Sequence, residues 1–205
     1  MFTVCPACGE YRPDKTILPE GPWAECPVCG HRHKFRMLPL FVVTGASGTG
    51  KTAVCLRLPE LMDEVVVLES DILLGWGATN TEQGVLDYRN HCLNICKNIA
   101  QSGRPVVLCG SALPEQYERG VERRYFSAMH TLALVCSPQR QRERLLARPA
   151  WRGAGGAEFL TAQSRFNQWF WDNADGPQPF DLLDTTDMDD DTAATRVAQW
   201  VWGLL

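Results

Sequence analysis

Positive charge is scarce along this chain. Lys and Arg total 20 against 24 Asp and Glu, for a formal net charge of −4 at pH 7. The pI near 5.6 argues against a surface that holds nucleic acid by bulk electrostatics. No apolar run approaches the roughly 20 residues that a membrane helix requires, so a membrane partner is not expected. Internal repeats are absent, and the only biased tracts are Gly153-Ala154-Gly155-Gly156 and the acidic run 187–191. Residues 1–10 show no basic-plus-apolar arrangement, so a secretory leader is not expected. A disulfide framework is also a poor fit. The nine cysteines are odd in number, four of them sit in two C-x-x-C pairs, and Cys55, Cys92, Cys96, Cys109 and Cys136 lie in apolar, core-like segments. That usage points to a reducing cytoplasm.

What is present divides at Pro39. Before it, Cys5-Pro6-Ala7-Cys8-Gly9 and Cys26-Pro27-Val28-Cys29-Gly30 repeat one pattern. The short spacing lets a tight turn aim two thiolates at one point, and the following Gly lets the backbone curl beneath a metal. Cys5, Cys8, Cys26 and Cys29 thus form a four-cysteine zinc ribbon over residues 1–38. A closed site of four thiolates has no open position for catalysis, and a segment this small draws its folding energy from zinc. His31 and His33 are expected as solvated strand residues. With Arg32, Lys34 and Arg36 they form a small basic cluster, the one feature that favours a nucleic-acid contact. An exposed ribbon is also a surface on which two copies can pair as a homodimer.

After Pro39 comes the most specific motif. Leu40-Phe41-Val42-Val43 is followed by Gly45-Ala46-Ser47-Gly48-Thr49-Gly50-Lys51-Thr52, the G-x-x-x-x-G-K-T phosphate-binding loop between a buried strand and a helix. Backbone N–H groups and the helix N-terminus cradle phosphate oxygens. Lys51 reaches the β- and γ-phosphates, and Thr52 is placed to ligate Mg²⁺. The motif predicts a nucleoside triphosphate ligand.

Over residues 39–205, apolar runs alternate with helical stretches, which predicts an α/β fold with a parallel sheet. Strands are expected at 40–43, 65–68, 105–109, 131–136 and 180–183. Helices are expected at 51–62, 81–102, 114–127, 138–147, 158–173 and 190–204, the last one starting at the acidic run. The second strand ends in Glu69-Ser70-Asp71, two carboxylates at i, i+2 on one side of an extended segment. One is suited to hold Mg²⁺ through water, the other to orient a substrate hydroxyl or take its proton; an N-cap at Ser70 or Asp71 is the plainer alternative. The third strand ends in Cys109-Gly110-Ser111 without an acidic residue, which argues against a motor-type ATPase. No N-K-x-D-like motif reads guanine. An Arg-rich stretch ends in Arg148 and Arg152 beside the Gly-rich tract, which suggests a lid at about 148–157 with Arg148 closing over phosphates. Gly75-Trp76-Gly77 and the cluster Phe166, Trp169, Phe170 and Trp171 suit either an aromatic acceptor pocket or packing against the sheet.

These residues together resemble the small-molecule kinases of the P-loop superfamily, closest in layout to gluconate and shikimate kinases. Glu69-x-Asp71 is similar to their D-x-D, 107–113 with Tyr117-Glu118-Arg119 to the C-S-A-L…Y-R stretch of gluconate kinases, and Glu143-Arg144-Leu145…Arg148 to the E-R-L-x-x-R that enters their lid. The resemblance implies a P-loop three-layer sandwich with a five-stranded sheet of order 2-3-1-4-5, ATP as donor and Mg²⁺ as cofactor. It implies that Lys51, Asp71 and Arg148 are catalytic, that Arg144 lies near the adenine, and that Arg165 and Glu69 lie near the acceptor. Pro114 replaces a basic residue of gluconate kinases and Gly110 is an insertion, which counts against gluconate itself. The expected activity is transfer of the γ-phosphate to a hydroxyl of a small molecule, a metabolite or a nucleoside. The competing expectations are a polynucleotide-end kinase docked through the ribbon and a regulatory NTP-binding protein.

Overall fold

In the computed structural model, residues 2–73, 81–149 and 155–205 are described. A small antiparallel sheet comes first: β1 (Thr16–Leu18), β2 (Trp23–Glu25) and β3 (Arg32–Lys34), in the order β1-β2-β3. The rest is a parallel sheet of β4 (Leu40–Thr44), β5 (Val66–Glu69), β6 (Val106–Cys109), β7 (Met129–Val135) and β8 (Asp181–Asp184). Its order is β5-β6-β4-β7-β8, which is 2-3-1-4-5 counted within this sheet. Helices connect its strands: α1 (Lys51–Leu61), α2 (Glu82–Ala100), α3 (Pro114–Glu118), α4 (Pro138–Leu146) and α5 (Ala157–Asn173), with α6 (Asp190–Trp202) closing the chain.

Both faces of β4 are apolar because both are covered. Phe41 and Val43 pack with Val54 and Leu58 of α1 and with Val197 and Val201 of α6. Leu40 and Val42 face the opposite layer, with Tyr88, Cys92 and Cys96 of α2. This is the three-layer sandwich that alternating strands and helices predict. At the end of α1, Leu61 is exposed and Met62, just past the helix, is buried. The acidic run does open the last helix, where the Asp189 carboxylate accepts from the Thr192 N–H at 2.7 Å. That bond, favouring the ionised form, holds the Asp189 carboxyl below its ordinary pKa.

The helix expected over 114–127 is not continuous. It stops at Glu118 and resumes as a short 3-10 turn, Val121–Tyr125. The break falls at Gly120, which is pressed against α2: a Cβ there would meet Leu93 Cδ1 at 2.8 Å and Asn90 Oδ1 at 2.9 Å. The redirected chain carries Tyr125 to the small sheet. Its hydroxyl donates to the Pro13 carbonyl at 2.9 Å, and its ring meets Phe2 and Phe35 edge-on at 5.1 and 6.0 Å.

The aromatic cluster of α5 is packing. Phe166, Trp169 and Phe170 join Phe180, Ala133 and Val135 against the β7–β8 edge, while Trp171 faces outward.

Candidate active site and metal centre

The metal centre is built by the two repeated turns. In each, the Gly N–H donates to the first Cys carbonyl at 2.9 Å, Gly9 to Cys5 and Gly30 to Cys26. Both glycines have positive φ, 75° and 68°, the left-handed conformation that closes the turn. The four sulfurs lie within 4.8 Å of one another. Cys5 to Cys29 spans 3.7 Å and Cys8 to Cys26 3.9 Å, against the roughly 3.8 Å edge of a tetrahedron with zinc–sulfur bonds of about 2.3 Å. The donor set therefore fits zinc in number, chemistry and spacing.

Of the two histidines beside it, His31 is exposed as expected, but His33 is half-buried. Its Nε2 lies 2.9 Å from Lys15 Nζ, and burial followed by the Lys15 charge pushes its pKa down. Lys15 is itself buried, donating to the Phe2 and Val4 carbonyls.

The second site begins where β4 ends. Gly45 has φ 137°, and a Cβ there would sit 2.3 Å from the Leu134 carbonyl oxygen and 2.8 Å from Thr49 Oγ1, so the first loop position accepts no side chain. Gly50 caps α1 with φ 104° and no side-chain bond, which leaves the helix N-terminus open toward the loop. Lys51 folds back so that Nζ donates to the Gly45 and Ala46 carbonyls at 2.7 and 2.8 Å. Burial lowers its pKa to about 8, with the Arg148 cation adding and Asp71 opposing. Thr185, at the end of β8, buttresses the loop through a bond from Oγ1 to the Thr49 carbonyl at 2.9 Å.

Ser47, Gly48, Gly50, Lys51 and Thr52 line a cavity of about 880 Å³ together with Glu69, Asp71, Arg144 and Arg148. Glu69 and Asp71 reach it by a different backbone from the one expected. Glu69 ends β5, and Ser70–Leu73 is a 3-10 turn rather than extended chain. The turn buries Ser70 and delivers both carboxylates to the same space. Arg144 borders that space with its guanidinium anchored on Thr185 Oγ1 and the Thr185 and Met188 carbonyls, at 3.0, 2.8 and 3.3 Å.

Comparison with known proteins adds the architecture. No protein-family model matches the chain, and no curated protein matches it in sequence. Solved structures do. A sugar kinase from Janibacter sp. is 19% identical, with a TM-score of 0.61 over 80% of this chain and 94% of that one. The APS kinase of Mycobacterium tuberculosis, solved with AMPPNP and APS, is 18% identical, with a TM-score of 0.59 over 82% and 98%. A gluconokinase from Sinorhizobium meliloti is 19% identical, with a TM-score of 0.56 over 82% and 98%. The chain has the P-loop kinase fold.

Within this P-loop kinase fold, Arg165 stands apart from the other expected site residues. It is exposed on α5 and lines a separate cleft with Pro138, Arg142 and Thr161, so it does not border the Lys51 cavity. Gly75-Trp76-Gly77 and, within the expected lid, residues 150–154 with Arg152 lie outside the described residues. Sequence reasoning missed Arg89. It is buried on α2, donates to the Ser111 carbonyl at 2.6 Å and to Gln116 Oε1 at 3.2 Å, and stacks near the Tyr88 and Tyr117 rings. Among the described residues it has no carboxylate partner. The signal was an arginine within the apolar face of α2, next to Tyr88 and one turn before Cys92 and Leu93.

Proposed function

We propose that the protein is an ATP-dependent phosphotransferase that moves the γ-phosphate to a hydroxyl of a small molecule. The observation that carries this reading is the convergence of a phosphate loop, two carboxylates and two arginines on one cavity of about 880 Å³. The loop amides and the α1 N-terminus bind the triphosphate. Lys51 and Arg148 hold its terminal oxygens and meet the charge that spreads over them during transfer. Asp71 faces the acceptor hydroxyl and takes its proton, and Glu69 borders the metal side. Mg²⁺ held through Thr52 neutralises phosphate charge when bound. Arg144 flanks the nucleotide from the α4 side. Arg89 and Tyr88 brace the backbone beside the cavity: Arg89 donates to the Ser111 carbonyl and the Tyr88 hydroxyl to the Ser70 carbonyl, each at 2.6 Å. The ribbon over residues 1–38 is a structural zinc module docked on residues 39–205.

The test is ADP release measured across a panel of hydroxyl-bearing metabolites and nucleosides, with wild type and Lys51→Met. An acceptor that raises turnover in wild type alone supports the reading. Binding of ATP with no acceptor raising turnover above the water background overturns it.

A further inference from the structure

The phosphate loop is gripped at its apex by two carboxamides that the proposed chemistry does not use. Gln163 of α5 accepts the Ser47 N–H through Oε1 at 2.7 Å. Gln141 of α4, 1% exposed, donates from Nε2 to the Ser47 carbonyl at 2.8 Å and to the Gln163 carbonyl at 3.1 Å. Both polar groups of the Ser47 backbone are thereby committed, and the two glutamines are tied to each other. The grip needs Gly48 beside it, where a Cβ would approach Gln141 Cγ and Leu145 Cγ to 3.1 Å. One turn further along α5, buried Asn167 bonds both polar groups of the Cys136 backbone, at 3.2 and 2.7 Å. Gln163 thus projects from a helix already fastened to the end of β7. Gln141 belongs to α4, whose last turn carries Arg144 and which leads to Arg148.

We infer that Gln163 and Gln141 are positioning residues that hold the loop apex in register with the arginines of α4, and that they act on the γ-phosphate rather than on the whole nucleotide. This rests on the reading of the loop as an ATP site. The γ-end follows from Lys51. Its Nζ lies on the Gly45 and Ala46 carbonyls, and the lysine of such a loop serves the β- and γ-phosphates. Ser47 adjoins that end, whereas the amides from Thr49 onward open on the α1 N-terminus. Releasing Ser47 frees a peptide plane where the third phosphate sits and leaves the rest of the cradle intact.

The experiment is equilibrium titration of the full chain with Mg-ATP and Mg-ADP. Gln163→Met is expected to raise the Kd for ATP about fivefold, the size of one amide hydrogen bond, and to leave that for ADP within about twofold. Gln141→Met should show the same split, and it carries the comparison if Gln163→Met does not fold. Gln168→Met, on the exposed side of α5 and bonded to Asp172, should leave both nucleotides unchanged. Equal weakening of both nucleotides, as a general loosening would produce, or an unchanged ATP affinity overturns the inference. A wild type that binds neither nucleotide removes the ATP reading and this inference with it.

Discussion

Lys51 is the residue on which the most chemistry converges, and its titration is open to test. Burial brings its pKa down to about 8 in the nucleotide-free protein, so the cation is fully present only below that pH. Triphosphate oxygens favour the charged form and raise the pKa on binding, so above pH 8 each ATP bound takes up a proton. Affinity for ATP should therefore weaken as pH rises through 8, by up to about tenfold per pH unit until the bound-state pKa is reached. Lys51→Met should bind weakly with no such slope, as titrations across pH 7–10 would show. Folding has its own sign: the depressed pKa means that the charged form costs stability at low pH, and this cost is relieved as pH rises from 8 toward 10.5. Asp71 is expected to act later in the cycle. Asp71→Asn should lower acceptor-stimulated ADP release roughly 10²- to 10⁴-fold, the usual worth of a general base, with ATP affinity unchanged in direct binding.

At the scale of elements, the N-terminal segment packs on the rest of the chain at the 3-10 turn Val121–Tyr125. Lys97 of α2 is fully buried and pairs with Glu122 of that turn at 2.5 Å, with its ammonium 4.5 Å from the centre of the Tyr125 ring and 5.2 Å from that of Phe2. Burial pushes the Lys97 pKa down while the Glu122 carboxylate pulls it up. Removing one partner of such a pair leaves a desolvated charge, so Glu122→Ala should cost about 3–5 kcal/mol in denaturant unfolding. The strands β1–β3 are three residues each, too short to build a core of their own, so their order is expected to depend on a metal held by Cys5, Cys8, Cys26 and Cys29. A chelator, or Cys26→Ser, is expected to abolish hydrogen-exchange protection in β1–β3 while β4, β6 and β7 keep theirs.

At the scale of the whole molecule, the loop follows β4, the central strand of the five-stranded sheet. Its strand, β4, is fully buried, and its helix, α1, packs along α6. Ligand binding therefore reports on global stability. Saturation with Mg-ATP at about a hundred times its Kd should add about 2.7 kcal/mol, seen as a rise of several degrees in the thermal midpoint. Lys51→Met should lose most of that rise and still melt cooperatively.

Local pattern carried far in this chain. The G-x-x-x-x-G-K-T spacing, the doubled C-P-x-C-G turns and the continuously apolar strands place the phosphate loop, the sulfur cluster and the parallel sheet, because each is a property of adjacent residues: a positive φ at a glycine, two thiols on one turn, a run buried on both faces. Tertiary structure alone decided the break at Gly120, the bonds of buried Arg89 to a carbonyl and a carboxamide, the half-buried His33 and the place of Arg165 on another cleft. It also decided the grip of Gln141 and Gln163 on Ser47. The bonds of Arg89, Gln141 and Gln163 join positions 22 to 116 residues apart, and nothing in the spacing along the chain encodes which of two helix faces, or which end of a cavity, such a side chain will meet.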